Sequence, residues 1–210
     1  MPILSERDKE EVKKILDENL VNRVSIIFIK GKTKECMYCK EIEELLTEIV
    51  SLTDKLELKI YDINSEIAKK FDIKNAPVIL FEEKPNIRFY GIPSGYEFET
   101  LLNTIIHISK GEVHLKLSTA KTISQINKKV EIKVFVTPTC PYCPKAAFTA
   151  YQFAMINQNI ISEVYEAIEF EDLANKYEVL AVPKIVINDK VSFEGAVPEE
   201  YFAHQILHSL

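Results

Sequence analysis

The chain repeats itself. Val24 opens "VSIIFIKGKTKECMYCKEIEELLTEIV" and Val130 opens "VEIKVFVTPTCPYCPKAAFTAYQFAM". Both run from a β-branched apolar stretch through a short loop and a CxxC into a helical pattern. Cys36 and Cys140 lie 104 positions apart, Pro77 and Pro183 lie 106 apart, and Gly91 and Gly195 lie 104 apart. A register held this steadily over half of 210 residues is an internal duplication, and whatever one half folds into the other must fold into too. Two units of about 100 residues each are ordinary domain sizes. The pattern places them at residues 1–112 and 113–210, with Gly111 stopping the helix that closes the first.

Each half spells the same elements. A near-continuous apolar strand (24–29, 130–136) predicts burial on both faces, as in a parallel sheet between helices. The helix after the first CxxC carries Ile42, Leu45, Leu46 and Ile49 on one face, and its counterpart carries Phe148, Tyr151 and Phe153 more loosely. A second strand, a short helix, a proline-led strand ("APVILF", "VPKIVI"), a hairpin partner and a closing helix follow in both. The order β-α-β-α-β-β-α, twice, predicts an α/β fold whose mixed parallel and antiparallel sheet is flanked by helices. Extra helices lead each unit at 6–19 and 118–127, the first capped by Ser5 with Asp8 three residues on.

Charge and hydropathy narrow the function. The net charge is −6 with no basic stripe interleaved with aromatics, which excludes nucleic acid as a partner. No apolar run approaches the roughly 18 residues of a membrane helix, and the charged "SERDKEEVKK" does not resemble a secretory signal, so a cytoplasmic location is expected. Lys30, Lys32, Lys34 and Lys40 crowd the first cysteine pair and read as a solvated loop.

A CxxC admits three readings. As half of a four-cysteine metal site it would have a partner pair some 15 to 20 residues away in a zinc ribbon; here each pair sits in its own matching unit. As a structural staple it closes too short a loop to constrain the unfolded chain. As a reactive pair at a helix start it faces unpaired N–H groups that favour thiolate, the nucleophile in disulfide exchange. Cys36 or Cys140 then attacks, and Cys39 or Cys143 resolves the mixed disulfide. Pro141 suits a first helical turn. Ala76-Pro77 and Val182-Pro183 each head an apolar strand and are candidates for cis peptide bonds.

With Cys36, Cys39 and Pro77 in one half and Cys140, Cys143 and Pro183 in the other, both units resemble the thioredoxin fold. The tandem, with "CPYC" in the second unit, looks like the glutaredoxin-like protein disulfide oxidoreductases of thermophilic archaea and bacteria. That resemblance implies dithiol–disulfide exchange on protein substrates, no bound cofactor beyond the redox-active disulfides Cys36–Cys39 and Cys140–Cys143, and electrons from a flavin-dependent, thioredoxin-reductase-like partner. It implies that Ala76, Pro77, Val182 and Pro183 line the substrate path, with Tyr38 and Tyr142 on the rim. Glutathione specificity is not expected: Thr137 stands where glutaredoxins carry a basic residue, Ala181-Val182-Pro183 replaces Thr-Val-Pro, and "FEGAVPEE" has a single glycine. The buried aspartate of thioredoxins is missing, since Phe28 and Val134 occupy its place. Asp62 and Glu166, at matched positions on a strand expected to be central, are the candidate proton acceptors. The four histidines fall beside neither CxxC. A thioredoxin-fold binding or chaperone module, or a metal-binding protein, stands as the alternative.

Overall fold

The computed structural model describes residues 3–32 and 36–210. Lys34 of the lysine cluster lies outside them. The first unit runs α1 (Glu6–Asn19), β1 (Val24–Lys30), α2 (Cys39–Ser51), β2 (Leu56–Asp62), α3 (Glu66–Lys70), β3 (Val78–Phe81), β4 (Lys84–Tyr90) and α4 (Glu97–Lys110). The second repeats it as α5 (Leu117–Ser124), β5 (Val130–Val136), α6 (Cys143–Ile156), β6 (Ile160–Glu166), α7 (Glu171–Lys176), β7 (Lys184–Ile187), β8 (Val191–Glu194) and α8 (Glu199–Ser209). The fold is that of two tandem thioredoxin-like units.

Local chemistry sets the element ends. Ser5 accepts from the Asp8 amide while the Asp8 carboxylate accepts from the Ser5 amide, a reciprocal cap that starts α1. Gly111 ends α4 in the left-handed region and returns its N–H to His107 and Ile108 carbonyls. The stripe Ile42, Leu45, Leu46 and Ile49 is buried along α2. The looser pattern of α6 has a different cause. Ten of its fourteen residues are buried, because α4 and α5 pack on it from outside while the sheet lies beneath. A helix covered on all sides needs no stripe.

The strands form one continuous sheet in the order β2-β1-β3-β4-β6-β5-β7-β8. Within each unit the order is the same, and the units join head to tail where β4 runs parallel to β6. The long helices cover one face over a single large apolar core, and the short α3 and α7 cover the other. The join is built from registered cross-strand pairs. Tyr90 faces Tyr165, their rings stacked at 4.3 Å, and Arg88 faces Glu163 in a buried ion pair of 3.1 Å. Both tyrosine hydroxyls donate to the Glu163 carboxylate, and the Arg88 guanidinium also donates to the carbonyls of Phe71 and Pro85.

This join makes matched positions unequal. β2 has no unit beyond it and is an edge strand, contrary to the expectation of a central one; its counterpart β6 is central. Gly91 and Gly195 share a positive φ, 98° and 89°. A Cβ on Gly91 would meet Glu169 Oε1 at 2.6 Å and Glu166 Cβ at 2.8 Å, whereas one on Gly195 would meet nothing within 4 Å.

Candidate functional site

β1 is antiparallel to β3, β3 is antiparallel to β4, and β4, β6 and β5 run parallel, so β1 and β5 point the same way and both CxxC loops leave the same edge of the sheet. Each pair is closed on itself: Cys36 to Cys39 and Cys140 to Cys143, with Cα atoms 5.5 Å apart in both. Cys39 and Cys143 are the first residues of α2 and α6, so their partners face helix N-termini whose first N–H groups lack intrahelical acceptors. Pro141 lies ahead of α6 rather than inside its first turn. That place is taken by Pro144, because the chain stays in a turn through Tyr142.

Ala76-Pro77 and Val182-Pro183 are cis. Both prolines are buried and both preceding residues are half-exposed. Cys140 Sγ lies 3.7 Å from Val182 O, which sets the second disulfide directly beside that bond. In the first unit Gly31 mediates the approach, since a Cβ there would sit 3.3 Å from Ala76 O and 3.4 Å from Cys36 Cβ. Tyr38 and Tyr142 are both exposed, each at the N-cap of its helix.

The two sites differ in burial and charge. Cys140 is 8% exposed and Cys143 fully buried, whereas Cys36 and Cys39 are half-buried. The first turn of α6 has no acid; that of α2 has Glu41. The described lysines of the first loop are partly neutralised, Lys30 by Glu43 at 2.9 Å and Lys40 by Glu44 at 3.7 Å.

The acids fall into three groups. Asp62 is exposed at the end of edge strand β2, where its Oδ1 accepts from the backbone and side chain of Asn64. Glu166 is buried in central β6; its Oε2 accepts from the Glu169 amide, its Oε1 has no partner, and burial raises its pKa. Two further acids escape sequence reasoning. Glu169 reaches back to the first unit, accepting from the Ile92 amide at 2.6 Å, and burial pushes its carboxyl up to about 7 with some help from Glu166. Glu97, in the first turn of α4, is 1% exposed with both oxygens unpartnered, and burial raises it to about 7. Among the described residues no three His, Cys, Asp or Glu side chains converge as a metal-binding group.

The solved protein disulfide oxidoreductase from Aeropyrum pernix k1 matches with a TM-score of 0.89 at 31% identity, over 96% of this chain and 91% of that one. The chain belongs to this protein disulfide oxidoreductase family. A Thioredoxin domain family model matches residues 130–208. The fold also matches the alkylhydroperoxide reductase AhpF of Enterococcus faecalis, with a TM-score of 0.86 at 23% identity over 97% of this chain and 99% of that one. Among curated proteins, the corresponding alkyl hydroperoxide reductase component of Staphylococcus aureus is 26% identical over 180 residues, 86% of this chain and 33% of that protein. The chain thus spans about a third of the length of the curated relatives it matches. A CxxC disulfide at a helix N-terminus in each unit, with a cis X-Pro bond in the same unit, is an arrangement that can carry dithiol–disulfide exchange. No helix among the described residues is long and apolar enough to cross a membrane.

Proposed function

We propose that this oxidoreductase exchanges disulfides in protein clients at both sites, Cys36 and Cys140 being the nucleophiles and Cys39 and Cys143 the resolving thiols. The nucleophilic thiolate attacks a client S–S bond, forms a mixed disulfide and expels one client thiolate. The resolving thiolate then breaks the mixed disulfide, leaving the enzyme oxidised and the client reduced by two electrons. The observation that carries this reading is the position of Cys140 Sγ 3.7 Å from Val182 O beside a cis-proline, with the matching constellation around Cys36. The half-exposed backbone at Ala76 and Val182 offers an extended client strand-like hydrogen bonds, flanked by Pro77 and Pro183. Tyr38 and Tyr142 shape the rim. Glu166, buried and half-satisfied, suits a proton acceptor; Asp62, exposed on the edge strand, lacks the environment such a role needs. We take residues 1–112 and 113–210 as the two units, the enzyme as cytoplasmic, and its electron donor as a thioredoxin-reductase-like flavoprotein.

Insulin reduction with dithiothreitol tests the reading. The Cys140→Ser/Cys143→Ser variant is expected to lose more than half of the wild-type rate, and the Cys36→Ser/Cys39→Ser variant less. The basis is the acid-free first turn of α6, which leaves the helix dipole unopposed at the second pair. No catalysis by wild type rejects the proposed function; the opposite ranking rejects only the assignment of the stronger site. Glutathione should be a slow donor to either site compared with a flavoprotein reductase, because Thr137, Ala181 and the lone Gly195 leave no glutathione-holding set. Fast turnover in a glutathione-coupled assay is the contrary result.

A further inference from the structure

The head-to-tail join gives one CxxC a neighbour that the other lacks. Where Gly91 meets Glu166 and Glu169 of the second unit, Gly195 meets open space, so the second unit sets acids beside the first site, whereas the first unit meets the second CxxC loop through Gly95 and Tyr96, which pack on Pro138. Between the second unit and the first site lies a cleft of about 570 Å³. Met37, from inside the CMYC loop, and Asn75, next to the Ala76-Pro77 bond, line it on one side; Ile168, Glu169, Glu171 and Asp172 line it on the other.

The lining has a definite chemistry. Met37 and Ile168 are large apolar side chains left 63% and 64% exposed. Among the described residues, none of Glu169, Glu171 and Asp172 has an ion-pair partner. Lys176 is the only lysine or arginine of the lining among the described residues, and its ammonium is turned over the Tyr177 ring, 4.9 Å from the centroid. The cleft therefore has a mixed apolar and acidic lining whose exposed acids, Glu171 and Asp172, have no ion-pair partner among the described residues, and it opens beside a redox disulfide.

We propose that this cleft binds clients of the first site, and that it selects extended segments carrying lysine or arginine next to their disulfide. The inference rests on the disulfide chemistry proposed above. Lysine and arginine fit because their methylene stems cover apolar surface while the charged ends reach outward; here the stems would lie on Met37 and Ile168 and the charges at Glu171 and Asp172. Rim charges of this kind discriminate between partners and speed encounter more than they add affinity. The two sites of one chain would then serve different clients, the first by charge and the second without this filter.

The test uses the full-length chain with one site at a time: the Cys140→Ser/Cys143→Ser protein, working through its first site, and the Cys36→Ser/Cys39→Ser protein, working through its second. The probes are two synthetic peptides with one internal disulfide, identical except for two lysines or two glutamates flanking it. Their reduction is followed by loss of the disulfide above the uncatalysed rate. At low salt the first site should prefer the lysine peptide by about fivefold in kcat/KM, the size that two exposed charge contacts provide, and 0.5 M salt should remove most of that preference. Adding Glu171→Lys and Asp172→Lys to the first-site protein should abolish or invert it. The same two substitutions in the second-site protein should leave turnover unchanged, which also reports that the variant folds. Equal rates for the two peptides, a preference untouched by the two substitutions, or the same preference at the second site overturns the inference while leaving the disulfide chemistry intact. Turnover of neither peptide by either protein refutes that chemistry and the inference with it.

Discussion

Replacing Arg88 by methionine is expected to destabilise the protein by about 3–5 kcal/mol, the usual cost of removing one partner of a buried ion pair. The guanidinium ties three elements together: it pairs with Glu163 across β4 and β6, caps the Phe71 carbonyl at the end of α3, and holds Pro85 O at the start of its own strand β4. The side chains of the pair are only 8% and 11% exposed. Methionine fills similar volume but leaves the Glu163 carboxylate with two tyrosine hydroxyls and no opposing charge. Because the pair is shielded from solvent, 1 M salt should not relieve the loss. Urea unfolding of wild type and variant at low and high salt measures both points. The exposed pair Lys13–Asp17, 55% and 52% exposed, is the natural control: its removal should cost under about 1 kcal/mol and depend on salt. A loss as small at Arg88 would mean that the stacked tyrosines and the β4–β6 ladder hold the units together without it.

That join marks the division between what the chain spells out locally and what it does not. The repeated plan is legible because it is carried by short-range signals: two CxxC pairs, two prolines heading strands, and apolar runs whose period distinguishes strand from helix. The cap at Ser5 and the stop at Gly111 are legible for the same reason, since each depends on residues within one turn. The pairing of β4 with β6 joins Tyr90 to Tyr165 across 75 residues, and no local pattern encodes it. Everything that follows from the join is hidden as well. Asp62 and Glu166 look equivalent in sequence, each a strand-end acid among apolar neighbours. They part because β4 of the neighbouring unit pairs along the outer edge of β6, whereas among the described residues no strand pairs along the outer edge of β2. The acidic wall at Glu169 to Asp172 reads as an ordinary helix start and becomes a feature of the first site only through the fold. Glu97 is the plainest case. "YEFET" at the head of a helix predicts a solvated acid favouring the dipole, and only the packing of α6 against α4 turns it into a buried one.

Glu97→Gln should therefore stabilise the protein, and by an amount that depends on pH. Glu97 is 1% exposed with neither carboxylate oxygen in a well-formed hydrogen bond, and burial raises its pKa from 4.5 to about 7, a weak contact with the Thr100 hydroxyl offsetting only part of the shift. The folded protein keeps a proton on this carboxyl up to about pH 7, while the unfolded chain releases it near 4.5. Between those values the folded state binds more protons, so stability falls as pH rises through the window and levels off above it. A shift of this size corresponds to roughly 3 kcal/mol. Glutamine keeps the shape and does not titrate. The variant and the wild type should thus be equally stable at pH 4, diverge across the window, and differ by about 3 kcal/mol at pH 8 with the variant ahead. Glu169, which burial also raises to about 7, is present in both proteins and cancels in the comparison. Chemical unfolding at several pH values gives the difference directly. Equal stability at pH 8 would mean that the ionised Glu97 finds hydrogen-bond partners in solution, and a gap already present at pH 4 would mean that glutamine packs better for reasons unconnected with charge.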